Sequence, residues 1–357
     1  SPAWSWVETY ELLGLAELWF VVVAVFWVGF FVLEGFDFGV GALHSFLARD
    51  EGERRQAIEA IGPVWDGNEV WLIVGGAAIF AAFPDWYATW FSAGYLALML
   101  VIVALIVRGV SFEWRTKLES GRWRRTFSAM LTIGSALVPL LLGVALGDLL
   151  AGLPVDSSGE FTGDFVDLLT PYGVLVGVTL LVLCLVHGAT FLALKTRGGL
   201  QQRAHAFARR SVWPAVVLTV VFAVWTVTIS AAGPWRIAAA AVPALAAVAA
   251  AVLLRGERDG RSFAATAVTV GGVVAALFAN VYPAVLVSST SSANDLTVSG
   301  AASGHYALTV MTVVAAVMFP VVLLYQGWTY WVFRHRVAAP AEVRAATSGR
   351  APAADQL

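Results

Sequence analysis

The stretch LWFVVVAVFWVGFFVLEGFDFGVGAL, residues Leu18–Leu43, is apolar throughout except for two carboxylates, Glu34 and Asp37. About 20 mostly apolar residues suffice for a helix to cross the hydrocarbon core, so this run predicts a span with acids inside it. Eight similar runs follow, at Val64–Phe83, Tyr87–Val107, Thr126–Leu150, Pro171–Leu194, Val212–Ala232, Ile237–Leu254, Phe263–Val287 and Tyr306–Phe333. The seventh of the nine is short and Ala-rich. Alternating strands of ~10 residues are missing, which argues against an outer-membrane barrel.

Composition agrees. Of 357 residues, 59% are hydrophobic and 13% charged, and the mean hydropathy is +0.78. A soluble domain carries about 25% charged residues. Cytoplasmic enzymes and disordered chains are therefore excluded. The net charge of −2, with 22 Lys+Arg, offers no basic excess for nucleic acid. The one cysteine, Cys184, cannot form an intrachain disulfide or a cysteine metal cluster. Ser1–Glu17 carries three acids and no Lys or Arg, so it is not expected to act as a signal peptide.

Orientation follows from the cations. The segments after spans one, three, five and seven, with the C-terminal tail, hold 21 of the 22, and only Arg236 falls on the other side. By the positive-inside rule the N-terminus lies outside and the C-terminus in the cytoplasm. Outward loops are acidic (Asp156, Glu160, Asp164, Asp167) or Ser-rich (Ser288–Gly304). Trp19, Trp86, Trp90 and Trp235 near the outer boundary, and Trp328, Tyr330 and Trp331 near the inner one, read as interfacial anchors. Residues 1–337 are expected to form one polytopic domain, and the Ala/Pro-rich 338–357 a disordered cytoplasmic tail. Small-residue pairs Gly35/Gly39, Gly143/Gly147 and Gly173/Gly177 are spaced for close helix contact.

Ionisable groups in a bilayer cost a few kcal/mol or more and call for a reason. Two pairs stand out, Glu34 with Asp37 and Asp66 with Glu69, each spaced i, i+3 on one helix face. Both lie in the cytoplasmic half, and no Lys or Arg falls within a predicted span. A carboxyl group taken out of water can hold and release a proton, so the pairs point to an inward-opening proton path. A structural reading stands beside it for Asp66 and Glu69, because Pro63 suits a helix start and acids are favoured there by the dipole. Asp148 reads as a solvated helix terminus. His187 is the one histidine near mid-span. It could pair with Met311 or Met318 on a haem, but a packed, hydrogen-bonded imidazole is the better expectation. Nucleophile elbows, phosphate loops and zinc motifs are missing from the sequence. These residues leave a redox-complex subunit and a proton-coupled transporter open.

The same polar segments carry a resemblance. Glu34-Gly35-Phe36-Asp37-Phe38-Gly39-Val40-Gly41 and Gly62-Pro63-Val64-Trp65-Asp66-Gly67-Asn68-Glu69-Val70-Trp71 resemble signatures of subunit II of cytochrome bd quinol oxidases. The likeness continues through Phe112-Glu113-Trp114-Arg115, Gly188-Ala189-Thr190 and Tyr325-Gln326-Gly327-Trp328-Thr329-Tyr330-Trp331. It implies an all-α membrane protein of about nine helices, arranged as two four-helix bundles and one peripheral helix. It also implies a heterodimer in a bacterial cytoplasmic membrane that oxidises quinol and reduces O2 to water, drawing protons from the cytoplasm.

Two haems b and one haem d would sit in subunit I. This chain would ligate no haem or metal and would supply part of a proton channel. A structural quinone or lipid in this subunit, and a small accessory subunit, are further expectations of the resemblance. Residue by residue, it assigns the proton path to Asp66, Glu34, Asp37 and Glu113, with Arg108 pairing one of the acids. Glu69 stands where relatives often have Gln. Trp65, Gly67, Asn68 and Trp71 complete the motif. A purely structural scaffold and a transporter are the alternatives; only a transporter would favour broken helices around a mid-bilayer site.

Overall fold

The computed structural model describes residues 3–230, 233–256 and 258–338, with side chains from Gly14 onward. The predicted tail, save Ala338, lies outside the described residues, as does Ala232 at the expected end of span six. Helix α1 (Ala3–Leu47) is followed by α2 (Glu51–Ile61), α3 (Trp65–Ala82), α4 (Pro84–Ala93), α5 (Tyr95–Trp114) and α6 (Gly121–Ala151). Then come α7 (Pro171–Lys195), α8 (Gly199–Ile229), α9 (Pro234–Leu253), α10 (Asp259–Val281) and α11 (His305–Val332). Eight of the described helices are long and apolar enough to cross a membrane. α3 is not among them, because Asp66, Asn68 and Glu69 fill its first turn. It nevertheless runs antiparallel along α1. Asn68 meets Leu33 and Asp37 at one end, and Gly75 faces Phe26 and Trp27 further on.

Helices α1, α3, α5 and α6 form one bundle and α7–α10 a second, joined through α6 on α7 and α1 on α7 and α10. α11 leans on α1 and α3 and is otherwise exposed. The four-plus-four arrangement with one peripheral helix is thus realised. The glycine pairs act as their spacing predicts. A Cβ on Gly143 would lie 2.6 Å from the Gly177 Cα, and one on Gly39 would meet the Cys184 carbonyl. Only bare backbone permits these crossings.

The two ends are stitched separately, as alternating spans require. At the cation-rich end Arg203 pairs with Glu53 at 2.5 Å and Gln56 donates to the Arg197 and Val337 carbonyls at 3.2 Å. Arg336 reaches Asp259 at 3.3 Å. At the other end Thr89 donates to the Gly159 carbonyl at 2.8 Å, and the Ser303 amide to Ala82 at 2.8 Å.

Four expectations are corrected. The third span is not one helix over Tyr87–Val107. Pro84 starts α4, which ends before Gly94, and the membrane helix α5 begins at Tyr95. This shift toward the cytoplasm draws Arg108 into a span, where no cation was expected. The eighth span ends at Val281 rather than Val287. Pro283 cannot continue the ladder, and β1 (Ala284–Leu286) pairs antiparallel with β2 (Leu296–Thr297) instead.

Asp148 is not a solvated terminus. It is buried and accepts the Thr170 hydroxyl at 2.5 Å, while Thr170 caps α7 by accepting from the Gly173 amide at 2.9 Å. Among the predicted anchors, Trp19, Trp86 and Trp90 are core residues; Trp235, Trp328 and Trp331 remain exposed. Helices α4 and α11 cover what a two-layer reading leaves open.

Candidate functional site

Helix α1 has two faces. Phe36 and Gly39 point to the second bundle, where Phe36 stacks on Phe191 at 4.1 Å. Glu34 and Asp37 point to the first bundle and are fully buried. Arg108 on α5, equally buried, pairs with Glu34 at 2.5 Å and with Glu69 of α3 at 3.2 Å. Its guanidinium carbon lies 4.8 Å from the Phe38 ring centroid, 5.1 Å from Phe112 and 5.9 Å from Trp65. Trp65 and Phe112 stack at 4.7 Å. The guanidinium thus sits in an aromatic cradle, where its charge is screened from lipid and strengthened by ring faces.

Asp37 is held differently. Asn68 donates to its Oδ2 at 2.6 Å and to the Leu33 carbonyl at 3.2 Å. The Asn68 oxygen in turn accepts from Tyr330 at 2.8 Å and from Gln326 at 3.0 Å. Trp71 donates to Gln326 Oε1 at 2.8 Å. A hydrogen-bonded chain therefore ties α1, α3 and α11 together. Sequence reasoning did not single out Gln326 or Tyr330 as site residues. The available signal was their place on an otherwise lipid-like helix, where an amide and a phenol need partners.

One guanidinium faces three carboxylates. Glu34 Oε2 and Asp37 Oδ1 are buried without hydrogen-bond partners among the described residues. If both buried acids, Glu34 and Asp37, were ionised beside the one guanidinium, the cluster would bury excess negative charge, which the hydrocarbon strongly opposes. Taking up a proton is the available remedy, and the orphan oxygens are where it fits.

Of the other predicted residues, Asp66 and Glu113 are exposed at the cytoplasmic end and do not join the cluster. Gly67 is exposed as well. The i, i+3 pairing of Asp66 with Glu69 splits at the surface, with Glu69 turned inward to Arg108. Glu69 also lines a cavity of about 760 Å³ between α3 and α5, walled by Leu72, Ile73, Val101, Ile102 and Leu105. Trp27, Tyr87 and Trp90 line it as well.

His187 is packed. Its Nδ1 bonds Thr266 at 2.8 Å, its Nε2 bonds the Val32 carbonyl at 3.1 Å, and its ring stacks on Phe263 at 4.6 Å. Both nitrogens are taken, so the residue does not fit an axial haem position. His44 is likewise bonded to Gly41 and Ser45. The two fully buried histidines therefore offer no free ring nitrogen to a haem iron.

Fold and cluster together define a polytopic helical membrane protein with a buried carboxylate–guanidinium centre opening to one side. The chain belongs to the cytochrome bd terminal oxidase subunit II family, whose pattern matches residues 15–333. It is 42% identical over 329 residues to cytochrome bd ubiquinol oxidase subunit 2 of Bacillus subtilis, covering 91% of this chain and 97% of that one. It is 35% identical over 365 residues to cytochrome bd-I ubiquinol oxidase subunit 2 of Escherichia coli, covering 92% and 96%. The fold is similar to a chain in the structure of bd oxidase from Geobacillus thermodenitrificans, with a TM-score of 0.69 at 19% identity, covering 89% of this chain and 97% of that one.

Proposed function

We propose that this chain is subunit II of a bacterial cytochrome bd-type quinol oxidase in the cytoplasmic membrane, and that it conducts protons toward a haem-bearing subunit I. The observation that carries the reading is the centre itself, where the Arg108 guanidinium pairs with Glu34 and Glu69 beside a third carboxylate, the buried Asp37. Reduction of O2 to water consumes protons, and the haems of subunit I would supply the electrons. Asp66 and Glu113 lie at the cytoplasmic end, where a proton would enter. Glu69 faces both the lateral cavity and Arg108, while Glu34 and Asp37 have the free oxygens that would store it. The apolar groove between α3 and α5 has room for the chain of a structural quinone or lipid.

The test uses the complete complex carrying Glu34→Gln or Asp66→Asn. Quinol-dependent O2 uptake is expected to fall about tenfold or more, with the reduced-minus-oxidised haem spectrum unchanged. Full turnover in both variants would refute the relay. Joint loss of haem and assembly would identify the acids as scaffold.

A further inference from the structure

At the cytoplasmic end a second cavity, about 700 Å³, opens between the end of α1, α2, the end of α5 and the start of α6. It is separate from the centre around Arg108 and shares no lining residue with it. Four arginines line it, Arg54, Arg115, Arg124 and Arg125, against one carboxylate, Glu51. Arg115 is 2% exposed and is spent on that carboxylate. Its two terminal nitrogens each lie 2.8 Å from a Glu51 oxygen, and its Nε donates to Ser128 at 2.7 Å. Arg54 approaches the same carboxylate at 3.7 Å, so one negative charge faces four positive ones and the lining carries a net positive charge.

Two buried polar atoms on its wall have no hydrogen-bond partner among the described residues, Arg124 Nε and Thr132 Oγ1. Buried donors are rarely left unpaired, because each costs roughly 1–3 kcal/mol. Their placement is ordered. Arg124, Ser128 and Thr132 recur every four residues and so share one stripe of α6. Arg125, Ala129 and Ile133 form the neighbouring stripe. Ile133 is 62% exposed and Phe46, across the cavity, 76%. From Arg124 to Ile133 the helix rises about 14 Å. Moving up from the cytoplasm, the cavity presents guanidinium groups, then hydroxyls, then hydrocarbon.

We propose that this cavity binds an anionic phospholipid of the cytoplasmic leaflet. The phosphate would lie on Arg124, Arg125 and Arg54, the Thr132 hydroxyl would donate to an ester carbonyl, and an acyl chain would run over Phe46 and Ile133. Basic recesses between membrane helices on the cytoplasmic side suit such head groups. A free phosphate would use the arginines but leave the hydroxyl and the apolar wall unexplained.

The complete complex, purified in mild detergent and stripped of lipid, is titrated with phosphatidylglycerol or phosphatidylcholine and read by native mass spectrometry. One phosphatidylglycerol is expected to be retained at this site, with phosphatidylcholine about tenfold weaker or more. R124Q/R125Q should lower phosphatidylglycerol retention by about tenfold or more. Arg122→Gln, exposed and outside the cavity, should not change it. An unchanged haem spectrum reports that the double variant is assembled, and the milder Thr132→Val should also weaken retention. Equal retention of both lipids, or by wild type and the double variant, would overturn the proposal. So would full displacement of phosphatidylglycerol by millimolar inorganic phosphate, which would make this a free-phosphate site.

Discussion

The two four-helix halves share α1 as their wall and bury opposite chemistry. The half made with α3, α5 and α6 encloses Glu34, Asp37 and Arg108 and opens sideways through a large cavity bordered by Glu69. The half made with α7–α10 encloses mainly neutral groups, most of which satisfy one another or their own helix. His187 is bonded to Thr266, Thr219 donates to the Ala215 carbonyl at 2.7 Å, and Thr226 donates to Phe222 at 2.7 Å. Glycine crossings and stacked aromatic rings pack its helices closely. Neutral hydroxyls can be sealed locally in a bilayer; charges need a counter-ion from another helix and a route for protons. Glu34 and Asp37 alternate along α1 with Gly35 and Phe36, so one helix serves both halves by turning a different face to each.

That contrast breaks most visibly at Arg108. Arg108→Leu leaves Glu34 buried without its counter-charge, a loss of about 3–5 kcal/mol. The expected outcome is failed assembly, seen as lost yield on size exclusion, with partial recovery when Glu34→Gln is added. Glu34→Gln alone should separate the two properties, with turnover falling while the melting temperature changes little. In the second half the converse is expected. Thr266→Val removes a partner of His187 and should cost about 1–3 kcal/mol, read as a lower melting temperature at unchanged turnover.

The smallest effect lies outside the membrane, at Glu51. Partial burial favours its neutral form, but the Arg115 hydrogen bonds and the charges of Arg115, Arg124 and Arg54 outweigh this and hold it below the usual carboxylate range. Its contribution is therefore present above the unfolded value of about 4.3 and is lost as pH falls through the lower folded value. Acid melting curves should steepen there by no more than about 1 kcal/mol, and Glu51→Gln should flatten that limb.

Much of this architecture was legible in the residues. The membrane-spanning helices and the acidic pairs follow from apolar run length and i, i+3 spacing, both local properties. Helix packing at Gly143 and Gly177 was legible for the same reason. The position of Arg108 was not. Run length alone set the third span at Tyr87–Val107, and only the Pro84 start and the Gly94 break move the membrane helix far enough to include the arginine. Asp148 and the outer tryptophans Trp19, Trp86 and Trp90 were misread because burial at a helix end depends on which neighbour packs over it. Gln326 and Tyr330 sit in a stretch that resembles the family, yet nothing local says that they close on Asn68, some 260 residues earlier.

The sequence by itself determined an all-helical, polytopic membrane protein and the identity of its family, because hydropathy and short motifs are written along the chain. Tertiary structure alone decided which acids meet. It brought Glu34, Asp37 and Glu69 around one guanidinium, left Asp66 and Glu113 at the surface, and set unpaired polar atoms of α6 in a basic cavity. Side chains on different helices acquire partners only through helix rotation and depth, and these are set by packing against every other helix at once.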